Sequence, residues 1–174
     1  MGARRQAREV ALQLAYMCDA LGSWDRDSVE FSLDHFGIPR GARPYALSLI
    51  HGVIGNLASL DSQISRASEH WSLSRMSRVD RCLLRLAAYE MTYLEDIPAS
   101  VAINEAIEIA KRFGSKDSPM FINGVLDRVA SSLKKVDLRK VEVTLERPNQ
   151  EPDTTEAKLP EPTAAIELVG RNKA

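Results

Sequence analysis

Apolar residues over the first 140 positions recur at intervals of three and four, and no stretch alternates apolar with polar at period two for long. That pattern predicts helices rather than strands. The first helix runs from about Ala3 to Leu21, stopping before Gly22, with Val10, Leu14, Met17 and Leu21 on its apolar side. A second follows Asp27-Ser28-Val29-Glu30, an aspartate and a glutamate spaced as a capping box, and stops near Gly37. Pro44 suits the first turn of a long third helix, whose stripe is Leu49, Val53, Leu57, Leu60 and Ile64, with a break near Leu60-Asp61. Gly52 and Gly55 inside it point to close helix packing. A fourth helix begins at Ser77 or nearby and runs through Tyr93; at helical spacing over the segment from Arg75, Met76, Val79, Leu83, Leu86 and Ala87 share a core arc of roughly 100°. Pro98 opens the next helix and Gly114 closes it. Ser118-Pro119 starts a last one, to about Lys135, with Phe121, Ile122, Val125, Leu126, Val129 and Leu133 along its apolar stripe. Six or seven helices with short joints make an all-α bundle.

Length and charge refine this picture. The chain has 174 residues and a formal net charge of -1, suited to one domain with a tail. No apolar run reaches the roughly 20 residues of a membrane helix, and no secretory signal opens the chain. A reducing cytoplasm is the expected compartment, with no membrane partner. Near-neutral charge argues at first against a nucleic-acid partner. The average hides an asymmetry: residues 1–140 carry +2 and residues 141–174 carry -3, with four of the eight prolines and no aromatic residue. A helical domain over 1–138 and a disordered acidic, Pro-rich tail over 139–174 are therefore expected. That tail is either a plain terminus or folds back over a basic site through Ala164-Ala165-Ile166-Glu167-Leu168-Val169.

The basic residues are not spread evenly. Helical spacing puts Arg75, Arg78, Arg81 and Arg85 on one arc of roughly 120°. They form either a solvated face with ion pairs from neighbouring helices or a site for phosphates, which arginine grips bidentately. Glu90 falls near the apolar stripe, where an isolated carboxylate is costly, so it should bind a helix N-terminus or an arginine. Arg4, Arg5 and Arg8 share one side of the first helix, with Tyr16 close to that side. Cations beside an exposed ring suit single-stranded RNA, the charge meeting phosphates and the ring stacking on bases. In residues 113–129, Asp117 and Ser118 read as caps before catalysts, Phe121 as packing, and Asn123 as a solvent or partner contact.

Enzyme chemistry does not assemble. His35, His51 and His70 are scattered, Cys18 and Cys82 form no metal or disulfide pattern, and no Gly-rich phosphate loop follows a strand. A protein without catalysis, metal or cofactor is expected.

The stretches ARRQAREVALQLAY, RVDRCLLRLAAYEM and IPASVAINEAIEIAKRFGSKDSPMFINGVLDRVA, together spanning about residues 3–135, resemble the NusB family of bacterial transcription antitermination factors. The resemblance implies two packed three-helix subdomains. It implies binding to the single-stranded boxA element of nascent ribosomal RNA, together with the ribosomal protein NusE, in an antitermination complex beside RNA polymerase. By position, Arg4, Arg5 and Arg8 match the family's arginine-rich RNA-binding segment, and Tyr16 an aromatic near it. Asp117, Phe121 and Asn123 lie in the matching D-S-x-x-F-I-N-G segment; Arg78, Arg81 and Arg85 precede it as RNA or NusE contacts. Gln6 interrupts a run that is often all arginine in the family. Two alternatives stand beside this reading: an RNA-binding module related to rRNA cytosine methyltransferases, and a protein-binding helical homodimer. On the RNA reading, Arg8→Ala should weaken boxA binding and leave helicity unchanged.

Overall fold

The structure, a computed structural model, describes residues 2–35, 40–69 and 71–145. Six helices carry it: α1 (Ala3–Leu21), α2 (Arg26–His35), α3 (Arg43–Ala67), α4 (Arg78–Tyr93), α5 (Ala99–Phe113) and α6 (Ser118–Leu145), with a 3-10 turn at Leu73–Arg75. The described residues contain no strand. Local chemistry explains the boundaries. Gly22 takes φ 67°, and its N–H and that of Ser23 both reach the Cys18 carbonyl, ending α1 in a left-handed turn that a β-carbon would strain. The Ser77 hydroxyl accepts from the Asp80 N–H at 3.1 Å, satisfying one orphan donor of α4. Pro44 sits in the first turn of α3, and Gly114 follows the end of α5.

Four details differ from the sequence pattern. The cap of α2 is Asp25, whose carboxylate accepts from the Ser28 N–H at 2.9 Å; Asp27 already lies inside the first turn. Gly37 falls outside the described residues. The break in α3 is at Asn56 (φ -125°, ψ 16°), not at Leu60-Asp61, and the Asn56 side-chain amide donates to the Gly52 carbonyl at 2.8 Å. Leu21 is 71% exposed and leaves the apolar side of α1. Finally, α6 continues to Leu145, past the expected domain boundary at 138, because neither Gly nor Pro occurs between Gly124 and Pro148 to stop it. The rest of the expected tail, from 146 onward, lies outside the described residues, as does His70.

The helices form two three-helix units, α1–α3 and α4–α6, that share one core. Helix α4 is central and packs against α1, α3, α5 and α6. Leu14, Leu49, Ile64, Leu83, Leu84, Ile122 and Leu126 are fully buried, each removing apolar surface worth about 1.5–3 kcal/mol. Gly52 is what lets α4 approach α3: a β-carbon there would lie 1.9 Å from the Tyr89 ring. Gly55 has no such role, its nearest foreign atom being 3.8 Å from a built β-carbon. No helix among the described residues is long and apolar enough to cross a membrane.

Candidate nucleic-acid interface

The arginines of α1 are held by carboxylates of α4, α5 and the joint between them. Arg4 reaches Asp96 at 3.1 Å and keeps most of its side chain in solvent. Arg5 grips Glu105 with two hydrogen bonds, at 2.8 and 2.7 Å, and is about one-third exposed. Arg8 is different. It is 6% exposed, and its Nε donates to both Glu90 oxygens at 2.9 and 3.2 Å. The Tyr45 hydroxyl donates to the same carboxylate. Burial pushes the Glu90 carboxyl up in pKa and outweighs Tyr45 and Arg8, which pull it down. The Arg5 hydrogen bond instead holds Glu105 below its usual range. Glu90 thus binds an arginine, as its place near the apolar stripe requires. Arg8, expected as an RNA contact whose removal leaves helicity unchanged, is here a buried ion-pair partner of Glu90.

The arginines of α4 form a second ion-pair network. Arg75 is separated from it, in the 3-10 turn, so the four-arginine arc is reduced to three. Arg78, Arg81 and Arg85 all reach Asp19 of α1, at 3.1 Å for Arg78 and 2.8 Å for Arg85. Arg85 also grips Asp61 at 2.7 and 2.9 Å, lies over the Trp24 ring and is 6% exposed. Arg81 donates to the Leu73 carbonyl at 2.7 Å. Burial alone would raise the Asp19 carboxyl, yet the hydrogen bonds of Arg81 and Arg85 hold it below its usual range. For Arg81 and Arg85 the ion-paired reading therefore prevails over an open phosphate face. Arg78 alone of the three keeps about two-fifths of its side chain exposed.

What remains accessible is a set of rings, each under a guanidinium. Arg78 lies 5.3 Å from the Tyr16 ring centroid, Arg112 5.1 Å from Phe113, and Arg75 4.8 Å from Trp71. All three rings are exposed. The pairings of Arg5 with Glu105 and of Arg112 with Glu9 link α1 to α5 through long side chains, in the same order along both helices. That seam leads from Arg4 and Arg5 to Phe113 and the turn before α6. There Asp117 and Phe121 meet Trp71, Arg75 and Ser77 around a cavity of about 250 Å³. Phe121 packs edge-on against Trp71, centroids 6.4 Å apart. Ser118 is the first residue of α6, and its hydroxyl accepts from the Ser115 N–H at 2.9 Å, bracing the turn before the helix instead of capping the helix's own N–H groups. Asn123 is not brought to this cavity: it donates to Asp127 at 3.1 Å in a polar groove between α5 and α6 with Asn104 and Lys134.

Sequence reasoning missed Trp71, Arg75 as its partner, Phe113 and Arg112. A signal was present, since Trp71 precedes Arg75 by four positions and Arg112 adjoins Phe113, but neither pair lies on a readable helical stripe.

Comparisons with known proteins bear on the fold that carries these residues. A family model described as the NusB family matches residues 5–131. The transcription antitermination protein NusB of Desulfitobacterium hafniense is 47% identical over 136 residues, covering 77% of this chain and 92% of that protein. Its namesake in Geobacter sulfurreducens is 47% identical over 135 residues, covering 76% and 97%. Among solved structures, T. maritima NusB aligns at 41% identity and TM-score 0.66, over 75% of this chain and 92% of that one. A crystal structure of antitermination factors NusB and NusE in complex with dsRNA contains a chain at 23% identity and TM-score 0.66, over 76% and 98%, which shows the shared fold. With six helices among its described residues, an arginine-rich α1 and a match across three quarters of its length, this chain belongs to the NusB family.

Proposed function

We propose that the protein is a transcription antitermination factor that binds the single-stranded boxA element of nascent ribosomal RNA together with NusE, in the cytoplasm, beside RNA polymerase. The observation that carries this reading is the series of exposed rings under arginines, Tyr16 with Arg78, Phe113 with Arg112 and Trp71 with Arg75. A base has a π-face that can replace a guanidinium on such a ring, and the released guanidinium can then meet the phosphate. Family membership supports the same conclusion, and the fold neighbour solved with NusE and RNA offers a precedent for a joint assembly.

On this reading Arg4 and Arg5 exchange their carboxylates for RNA phosphates, while Arg8, Arg81 and Arg85 position the helices that present the surface. Asp117 and Phe121 border the bases, and Asn123 meets RNA or NusE from the neighbouring groove. No bond is made or broken. Three to five phosphate contacts, at roughly -0.7 each for single strands, give a salt slope of about -2 to -4. Anisotropy titration of labelled boxA RNA against a scrambled sequence, with and without NusE, tests this. Tighter binding of boxA, strengthened by NusE, is expected, and Arg4→Ala or Arg5→Ala should each flatten the slope by about 0.7. Equal affinity for both RNAs in both conditions would sink the reading.

A further inference from the structure

Two carboxylates of the body, Glu90 of α4 and Glu105 of α5, are balanced by two arginines of α1. Arg5 holds Glu105 with hydrogen bonds of 2.8 and 2.7 Å. Arg8 donates from Nε to Glu90 at 2.9 Å, and its Nη1 lies 3.5 Å from the same Glu105 oxygen that accepts from the Arg5 Nε. Arg8 is therefore the cation that both carboxylates have in common. Exposure falls steeply across the group, from 36% for the Arg5 side chain to 18% for Glu105, 7% for Arg8 and 3% for Glu90. Beside Arg8 and Glu90 lies a cavity of about 10 Å³, lined also by Leu83, Leu86, Ala102 and Ala106, with room for about one water at most. Bulk solvent cannot replace a counter-charge that leaves such a place. The other charged and titratable groups here are few. Tyr45 faces Glu90 from α3, Glu9 and Glu108 lie close to Arg5, and Arg4 lies over the Tyr45 ring while paired with Asp96.

We propose that RNA binding at Arg5 is coupled to the uptake of one proton from solvent by the Glu90–Glu105 pair. The inference rests on the RNA-binding reading and deepens it. When Arg5 turns from Glu105 to a phosphate, Glu105 draws on Arg8, already 3.5 Å away, and one guanidinium then faces two carboxylates. The surplus negative charge disfavours the ionised form of both, and the incoming phosphate adds to it. The proton settles on a Glu90 carboxylate oxygen. Glu90 is the more buried of the two, and burial already pushes its pKa up against the pull of Tyr45 and Arg8. Glu105 starts below its usual range, held there chiefly by the Arg5 hydrogen bond. The complex thus has a higher pKa than the free protein. Affinity accordingly rises as pH falls through the bound-state pKa and levels off below the free-state one.

The test uses the full chain and boxA RNA. Calorimetric titration near neutral pH, in two buffers of different ionisation enthalpy, counts the protons taken up. Anisotropy titrations at fixed salt, from pH about 8 to about 6, read the affinity. About a quarter to half a proton should enter per RNA, and affinity should tighten roughly threefold to tenfold over that range. Glu105→Gln leaves Arg8 to Glu90 alone, so proton uptake and pH dependence should both vanish. Asp96→Asn, at the solvent-exposed pair with Arg4, should keep both. Glu90→Gln removes the proton acceptor and should also lose them, and it decides the matter if Glu105→Gln does not fold. A flat pH profile without proton uptake in the wild type overturns the proposal. So does a Glu105→Gln or Glu90→Gln protein that keeps the uptake, or an Asp96→Asn protein that loses it. If boxA fails to bind across the whole pH range, the RNA reading falls and the coupling falls with it. Normal boxA binding without proton uptake removes the coupling alone.

Discussion

Arg8→Ala is the substitution whose outcome the structure changes most. Arg8 and Glu90 have side chains 7% and 3% exposed, joined at 2.9 Å, with Tyr45 as a third member. Removing the arginine strands a buried carboxylate with Tyr45 and distant charges. Breaking a buried pair from one side costs about 3–5 kcal/mol, far more than the pair contributes relative to an apolar replacement. For a folded body of this size, about 3–4 °C of Tm is lost per kcal/mol, so a fall on the order of 10–15 °C is expected at neutral pH.

The pH dependence supplies a sharper criterion. Glu90 already has a folded pKa above its unfolded one, because burial outweighs Arg8 and Tyr45; without Arg8 it moves further up. A carboxyl with a raised folded pKa binds its proton more readily in the folded state, so stability is gained as pH falls through that pKa and lost as pH rises. The Arg8→Ala deficit should therefore be largest at neutral pH and shrink on acidification. Adding Glu90→Gln should recover most of the loss, since no charge is then left buried. Thermal melts of the two variants across pH, read by circular dichroism, decide it. A deficit below about 1 kcal/mol at neutral pH, or one that does not change with pH, would refute the account. Loss of RNA affinity at unchanged Tm would make Arg8 a direct RNA contact instead.

Two further outcomes follow from the packing. Gly52→Ala gains about 1 kcal/mol of helix propensity but drives a β-carbon to 1.9 Å from the Tyr89 ring, so it should lower Tm, whereas Gly55→Ala, with 3.8 Å of clearance, should raise it; shifts of the same sign in thermal melts would contradict the packing argument. Asp19→Asn should destabilise by about 3 kcal/mol and flatten the acid limb of the stability curve, because a carboxyl with a depressed folded pKa contributes stability that is lost as pH falls through that pKa; an unchanged acid limb in urea titrations at stepped pH would count against it.

The fold was largely legible because its determinants are local. The ends of α1, α4 and α5 are set by Gly22, Ser77, Pro98 and Gly114, and the core stripes of α4 and α6 repeat at helical spacing. Where the reading missed, two local options competed. Asp25 and Asp27 are both plausible caps, and the winner depends on where the chain leaves Gly22. The break in α3 sits at Asn56 because a side-chain amide there can satisfy a helix carbonyl, a substitution invisible to hydrophobic periodicity.

The site was less legible, and charge is the reason. A pattern of arginines along a helix looks the same whether each faces water, a phosphate or a buried carboxylate. What separates the cases are partners far away in sequence: Glu90 for Arg8, Glu105 for Arg5, and Asp19 for Arg81 and Arg85. Those acidic partners also account for the near-zero charge of the body, since many of its arginines neutralise carboxylates within the fold. The basic groups left along this seam are then few, chiefly Arg4, Arg5, Arg75, Arg78 and Arg112, and each of the last three already rests on an aromatic ring. On the proposed reading, such a surface would hold RNA through stacking as much as through charge. Its affinity should accordingly depend less on salt than that of a lysine-rich patch, which is why a slope as shallow as about -2 to -4 belongs to the same argument as the exposed rings.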